Sequence, residues 1–106
     1  MFGIGNMGEI LKKAGEFQEK IKKIQKELKN KTVEGTSGGG MVVVVANGAK
    51  QILKVTIDKE IINRGDIKML QDLIVSATND ALNKAQEIIE EETKEITKGL
   101  NLPGIF

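Results

Sequence analysis

The sequence predicts an α+β fold in which a long helix, three short antiparallel strands and a second long helix follow one another along a single domain. Three observations carry this. Apolar residues recur at heptad spacing up to Asn30, β-branched runs broken by Gly fill the stretch from Thr32 to Ile57, and helical spacing returns after Asp66.

The first element spans residues 7–30. Met7, Ala14, Ile21 and Leu28 share one heptad position and Ile10, Phe17 and Ile24 the other, a narrow seam of the kind one helix offers another. At about 1.5 Å per residue this helix is roughly 36 Å long, more than a thin core needs, so it reads as an arm. A helix lying on its own sheet would carry a similar stripe, and both packings remain open.

Residues 32–57 form the sheet: "TVEGTS", "MVVVVA" and "QILKVTI", with "GGG" and "NG" between them. Asn47-Gly48 tolerates the positive φ of a type I′ hairpin turn. With a two- or four-residue loop, Val42 and Val44 share a face with Leu53, Val55 and Ile57, while Val43, Val45 and Ile52 take the other. Apolar residues on both faces call for cover on two sides.

Residues 58–98 hold a short helix capped by Asp58 and ended by Gly65, then a long helix capped by Asp66 and closed by Gly99. Its stripe of Ile67, Leu70, Leu73, Ile74, Ala77, Ala81, Ala85 and Ile88 is widened by Val75, Leu82 and Ile89. The arc exceeds the roughly 100° of a helix with one neighbour, so it is expected to pack on the sheet and on something else. Residues 99–106, "GLNLPGIF", end the chain with no charged side chain. Leu102, Ile105 and Phe106 are expected to fill a groove on the body or on a partner subunit, a free recognition peptide being the alternative.

Composition removes whole classes of function. The chain of 106 residues has a net charge of +1, no Cys, His, Trp or Tyr, and a single Arg, Arg64. Disulfides, imidazole or thiolate metal sites and His or Cys nucleophiles are thereby excluded, and no Ser or Lys sits beside a recognisable base. No enzyme, cofactor, metal or small-molecule substrate is expected. "TSGGGM" lacks the Lys-Ser/Thr pair of a phosphate-binding loop and runs between strands, so it reads as a tight connection. Glu87, Glu90, Glu91, Glu92 and Glu95 read as a solvated helix face. Without an apolar run near the ~20 residues of a membrane span or a signal-peptide pattern, the expected location is cytoplasmic.

Charge is unevenly spread. Residues 1–49 carry eight Lys against five Glu, whereas residues 50–106 carry eight basic and ten acidic side chains. Lys22, Lys23, Lys26 and Lys29 fall opposite the apolar seam, Lys31 lies just beyond, and Lys12 and Lys13 precede them on the same helix. On its own the stripe serves solubility as readily as binding.

"GNMGEILKKAGEFQEKIKKIQKEL", "VEGTSGGGMVVVVANG", "LKVTID", "MLQDLIVSATNDALNKA" and "LNLPGIF" together resemble the YbaB/EbfC family of bacterial nucleoid-associated proteins, in order and over nearly the whole chain. The resemblance implies an α-β-β-β-α protomer, a tweezer-like homodimer, and binding to double-stranded DNA in the nucleoid with effects on chromosome organisation and gene expression. Two departures stand out. Family members often have polar residues where this chain has Val43 and Val45, and often a second Gly at the position of Lys50.

The resemblance makes Lys12, Lys13, Lys22, Lys23, Lys26, Lys29 and Lys31 the candidate DNA contacts. Ile21, Ile24, Leu28, Val43, Val45, Leu102, Ile105 and Phe106 are the candidate dimer interface. With one Arg to read guanine and three Phe to stack on bases, the expected mode is Lys against duplex phosphate with weak sequence preference. A coiled-coil adaptor that does not touch DNA is the rival reading.

Overall fold

The computed structural model describes the backbone of residues 4–100 and the side chains of residues 7–94. In chain order it forms α1 (Ile4–Asn30), β1 (Thr32–Ser37), β2 (Val42–Asn47), β3 (Ile52–Ile57), α2 (Lys59–Arg64) and α3 (Ile67–Leu100). The strands make one antiparallel sheet in the order β1-β2-β3. Helix α1 starts three residues before the heptad pattern, and α3 runs through Gly99, the expected cap. The α2 boundaries follow their capping residues. Asp58 accepts from the Glu60 amide, Gly65 turns left-handed at φ 71°, and Asp66 accepts from the Met69 amide at 2.9 Å to open α3.

Helix α3 lies across β1 and β2. Val42, Val44 and Ala46 are fully buried beneath it, with Ile61 of α2 closing the same cluster. The approach is close because neither side presents bulk. Gly35 on β1 faces Ala77 and Ala81, and a Cβ on Gly35 would run into the Ala77 carbonyl and the Ala81 backbone, 2.8 Å from its Cα. Ala77, Ala81 and Ala85 have no exposed surface, so a ridge of methyl groups at i, i+4 and i+8 meets β1 at the position where that strand has no side chain.

This contact is extended by polar pins. The Ser37 hydroxyl donates to the Leu73 carbonyl at 2.6 Å, the Thr36 amide to Asp80 at 3.0 Å, and the Lys84 ammonium to the Glu34 carbonyl at 2.8 Å. The Thr36 amide first, and Lys84 beside it, hold the Asp80 carboxyl below its ordinary pKa of 3.8. As the α3 residue number rises the β1 number falls, so the two run antiparallel. Beyond the sheet, Lys31 meets Glu92 where α1 enters β1. Helices α1 and α3 therefore leave by the same end of the sheet in opposite chain directions, and the molecule measures 74 × 21 × 17 Å.

The β2–β3 hairpin differs from the expected type I′ turn. Among the hairpin residues the positive φ belongs to Lys50, at 60°, and not to Asn47 or Gly48. Asn47 and Gln51 pair, leaving a three-residue loop of Gly48, Ala49 and Lys50, the geometry of a type I turn followed by a left-handed residue. A Gly at the position of Lys50 would adopt that conformation without strain.

The register changes with the turn. Val42 faces Ile57 and Val44 faces Val55 as expected, but a bulge makes Ile52, not Leu53, the partner of Ala46. Ile52 thus joins the α3 side of the sheet, and Leu53 is the extra residue. Gly48 has a different task. Its amide donates to the Leu28 and Lys31 carbonyls, and a Cβ there would press on Leu28. Asn47, 2% exposed, accepts from the Ala49 and Gln51 amides and donates to the Lys29 carbonyl and the Gln51 side chain. The hairpin and the foot of α1 are one hydrogen-bonded unit.

Replacing Gly35 with Ala should lower stability by about 3 kcal/mol, because the clash is with backbone that no rotamer change can move. Urea unfolding reads this directly. An unchanged midpoint would mean that α3 does not rest on β1 as described.

Candidate nucleic-acid interface

The arm carries its charges on sorted faces. At about 100° per residue, Lys22, Lys26 and Lys29 fall within an arc of roughly 60° on α1, with Lys12 and Lys23 beside it. All five are exposed and make no ion pair among the described residues. Lys13, also exposed, lies on the other flank, one turn from Glu9 and Glu16. Lys12 shares the same two glutamates and Glu19 stands one turn from Lys22 and Lys23, so Lys26 and Lys29 are the lysines of the arc with no glutamate one turn away.

Lys31 is differently placed. Its ammonium is hydrogen-bonded to Glu92, and that bond, together with the charges of Glu92 and Glu27, raises its pKa against a smaller cost of burial. This pairing leaves Lys31 less available than the other six candidates, which make no ion pair among the described residues. Glu92 is likewise drawn out of the acidic run on α3, and among the described residues no group of carboxylates is arranged to hold a metal ion.

Two basic residues absent from the candidate set belong to the same surroundings. Lys20 is exposed on α1, between the two flanks. Lys50 is exposed at the tip of the β2–β3 loop, which Asn47 and Gly48 tie to the Leu28–Lys31 segment, so it stands at the foot of the arm near Lys29. The Asn-Gly hairpin signal pointed to that loop, but nothing in the sequence brought the loop to α1.

The apolar candidates divide. Leu28 is buried by its own chain against Gly48, and Ile24, Ile21 and Phe17 are half-buried along the same line. Val43 and Val45 are half-buried on the face away from α3, flanked in register by Thr36 and Thr56 and by Glu34 and Lys54. Leu102, Ile105 and Phe106 lie outside the described residues. Strand β3 stands beyond the cover of α3, leaving Ile52 and Val55 on the α3 side 43% and 44% exposed.

The comparisons with known proteins agree with this architecture. The sequence profile of the YbaB/EbfC DNA-binding family matches residues 3–100. The chain is 48% identical over 101 residues to a nucleoid-associated protein of Caldanaerobacter subterraneus subsp. tengcongensis, covering 95% of this chain and 91% of that protein. It is 53% identical over 102 residues to a nucleoid-associated protein of Bacillus thuringiensis, covering 96% and 94%. In fold it resembles an uncharacterized protein of Helicobacter pylori, with a TM-score of 0.73 at 22% identity over 91% of this chain and 98% of that one. With the profile spanning both long helices and the whole sheet, the chain belongs to the YbaB/EbfC DNA-binding family.

Proposed function

We propose that this protein is a nucleoid-associated protein that binds double-stranded DNA as a homodimer, through contacts between the lysines of α1 and duplex phosphates with weak sequence preference. In that role it organises the bacterial chromosome and influences gene expression. The observation that carries the reading is the arc of Lys22, Lys26 and Lys29, exposed and without ion pairs among the described residues, on a helix held away from the sheet. Relatives named as nucleoid-associated proteins, at about half identity over nearly the full length, support the location and the role.

The chemistry follows from the residue types. A lysine is a compact point charge that meets phosphate from many directions, whereas base-edge readout favours the fixed fork of Arg. Affinity then comes from counterion release. It falls as salt rises, and unrelated duplexes of equal length bind alike.

A second copy is the proposed cover for β3. Ile52 and Val55 form an open apolar strip beside α3, and Ile67 and Val75 on that helix are exposed as well. Two copies facing each other through this region would bury both strips and display two arms.

Three outcomes test this reading. Replacing Lys22, Lys23 and Lys26 together with Gln should reduce the slope of log K against log salt by about 0.9 for each lost contact, for every duplex alike. The control is Lys59, Arg64 and Lys68 to Gln, the same charge change at the far end of the molecule; an equal loss there would make net charge the cause. Absence of any duplex binding by the parent protein at low salt would instead favour the adaptor reading.

Glu92→Gln removes the partner of Lys31 and one negative charge from the arm. Affinity at low salt should rise severalfold, and a fall would mean that the Lys31–Glu92 pair positions the arm for binding.

Val55→Glu should convert the dimer to monomer in light scattering at micromolar concentration. A parent protein that is already monomeric there would remove the proposed dimer.

A further inference from the structure

The apolar stripe of α1 is longer than its cover. From Leu28, 8% exposed, through the half-buried Ile24, Ile21 and Phe17, burial falls away until Ile10 is 61% and Met7 66% exposed, although the heptad pattern continues unbroken through Ala14. Leu11 beside them is 69% exposed. About half of the seam thus faces no described residue.

We propose that the C-terminal segment 101–106 continues outward from the end of α3 and lies along this open half of the α1 stripe, in the same chain. Direction, length and chemistry support the assignment. Helix α3 passes Lys31 at Glu92 and continues to Leu100, about 12 Å further along the axis, which brings its end beside roughly residue 23 of α1. The six residues that follow, extended at about 3.3 Å each, reach ~20 Å. That distance corresponds to about 13 residues of helix rise, from the neighbourhood of Ile21 to that of Ile10.

The segment is "NLPGIF". Pro103 and Gly104 oppose continuation of the helix, and there is no charge to desolvate. Leu102 then falls between Ile21 and Phe17, and Ile105 and Phe106 between Ala14 and Ile10. Docked in this way the tail turns the open seam inward and leaves the lysine arc on the outside.

The absence of Cys from the chain permits a clean test. Phe17→Cys with Leu102→Cys, oxidised in the full-length protein, should form a disulfide within one chain, seen as a fast-migrating monomer band on a non-reducing denaturing gel. Glu19→Cys with Leu102→Cys, on the opposite face of α1, should not. Cross-linking only between chains would place the tail on a second copy and overturn the assignment. Equal cross-linking from both faces, or none, would mean a free tail.

A second measurement does not depend on disulfide geometry. Ile105→Asp with Phe106→Asp should speed amide exchange in residues 7–17 at least about tenfold while leaving β2 unchanged, because the open half of the stripe loses its cover. Unchanged exchange in residues 7–17 would overturn the proposal whatever the gel shows.

Discussion

The bare backbone of Gly35 against the Ala77 and Ala81 backbone fixes the line along which α3 crosses the sheet. Because no side chain separates the two elements, α3 has neither room to roll nor a softer seat beside it. Ser37, Thr36 and Glu34 then pin successive turns of the helix in register with β1. A helix held in that register must leave the sheet where β1 begins, which is also where α1 arrives. The arm is the consequence: two helices emerging at one end, joined by Lys31 and Glu92 and seated on the hairpin through Asn47, Gly48 and Leu28.

That geometry separates the two tasks of α1. Its seam is used near the sheet for anchorage, and its outer face carries lysines that make no ion pair among the described residues. The acidic residues of the arm are concentrated on α3, where Glu92 engages Lys31 and Glu90 accepts from Gln86. A duplex approaching from the α1 side meets cations first. A duplex approaching α3 meets Glu87, Glu90 and Glu91. Under the proposed function the polarity of the arm, more than the near-neutral total charge, would steer a polyanion.

Much of this was legible in the sequence, and the reasons are local. Heptad and helical periods located both long helices because each has one buried stripe, and Asp58, Gly65 and Asp66 marked the α2 boundaries by chemistry that acts within a single turn. The hairpin was located but its geometry was not. Asn-Gly is a strong signal for a two-residue loop, but here Asn47 is taken up by the foot of α1, a long-range contact, and the left-handed position passes to Lys50. Once the loop has three residues and the strand a bulge, Ile52 and Leu53 exchange sides. The lysine arc was equally visible, whereas the capture of Lys31 by Glu92 and the placement of Lys50 depend on which distant segments meet. Gly35 gave no warning, since a glycine in a strand is as consistent with a bulge as with a helix resting on its backbone.

The outward face of α1, and not the sheet or α3, is the proposed surface for the duplex. Titration of the isotopically labelled protein with a short duplex, followed by NMR at moderate salt, tests it residue by residue. The largest shift changes are expected on α1 from Lys20 to Lys29 and on Lys50 at its foot, with the amides of α2 and the first turns of α3 little affected. Changes concentrated on α2, on the exposed face of α3 or on the open side of β2 would contradict it.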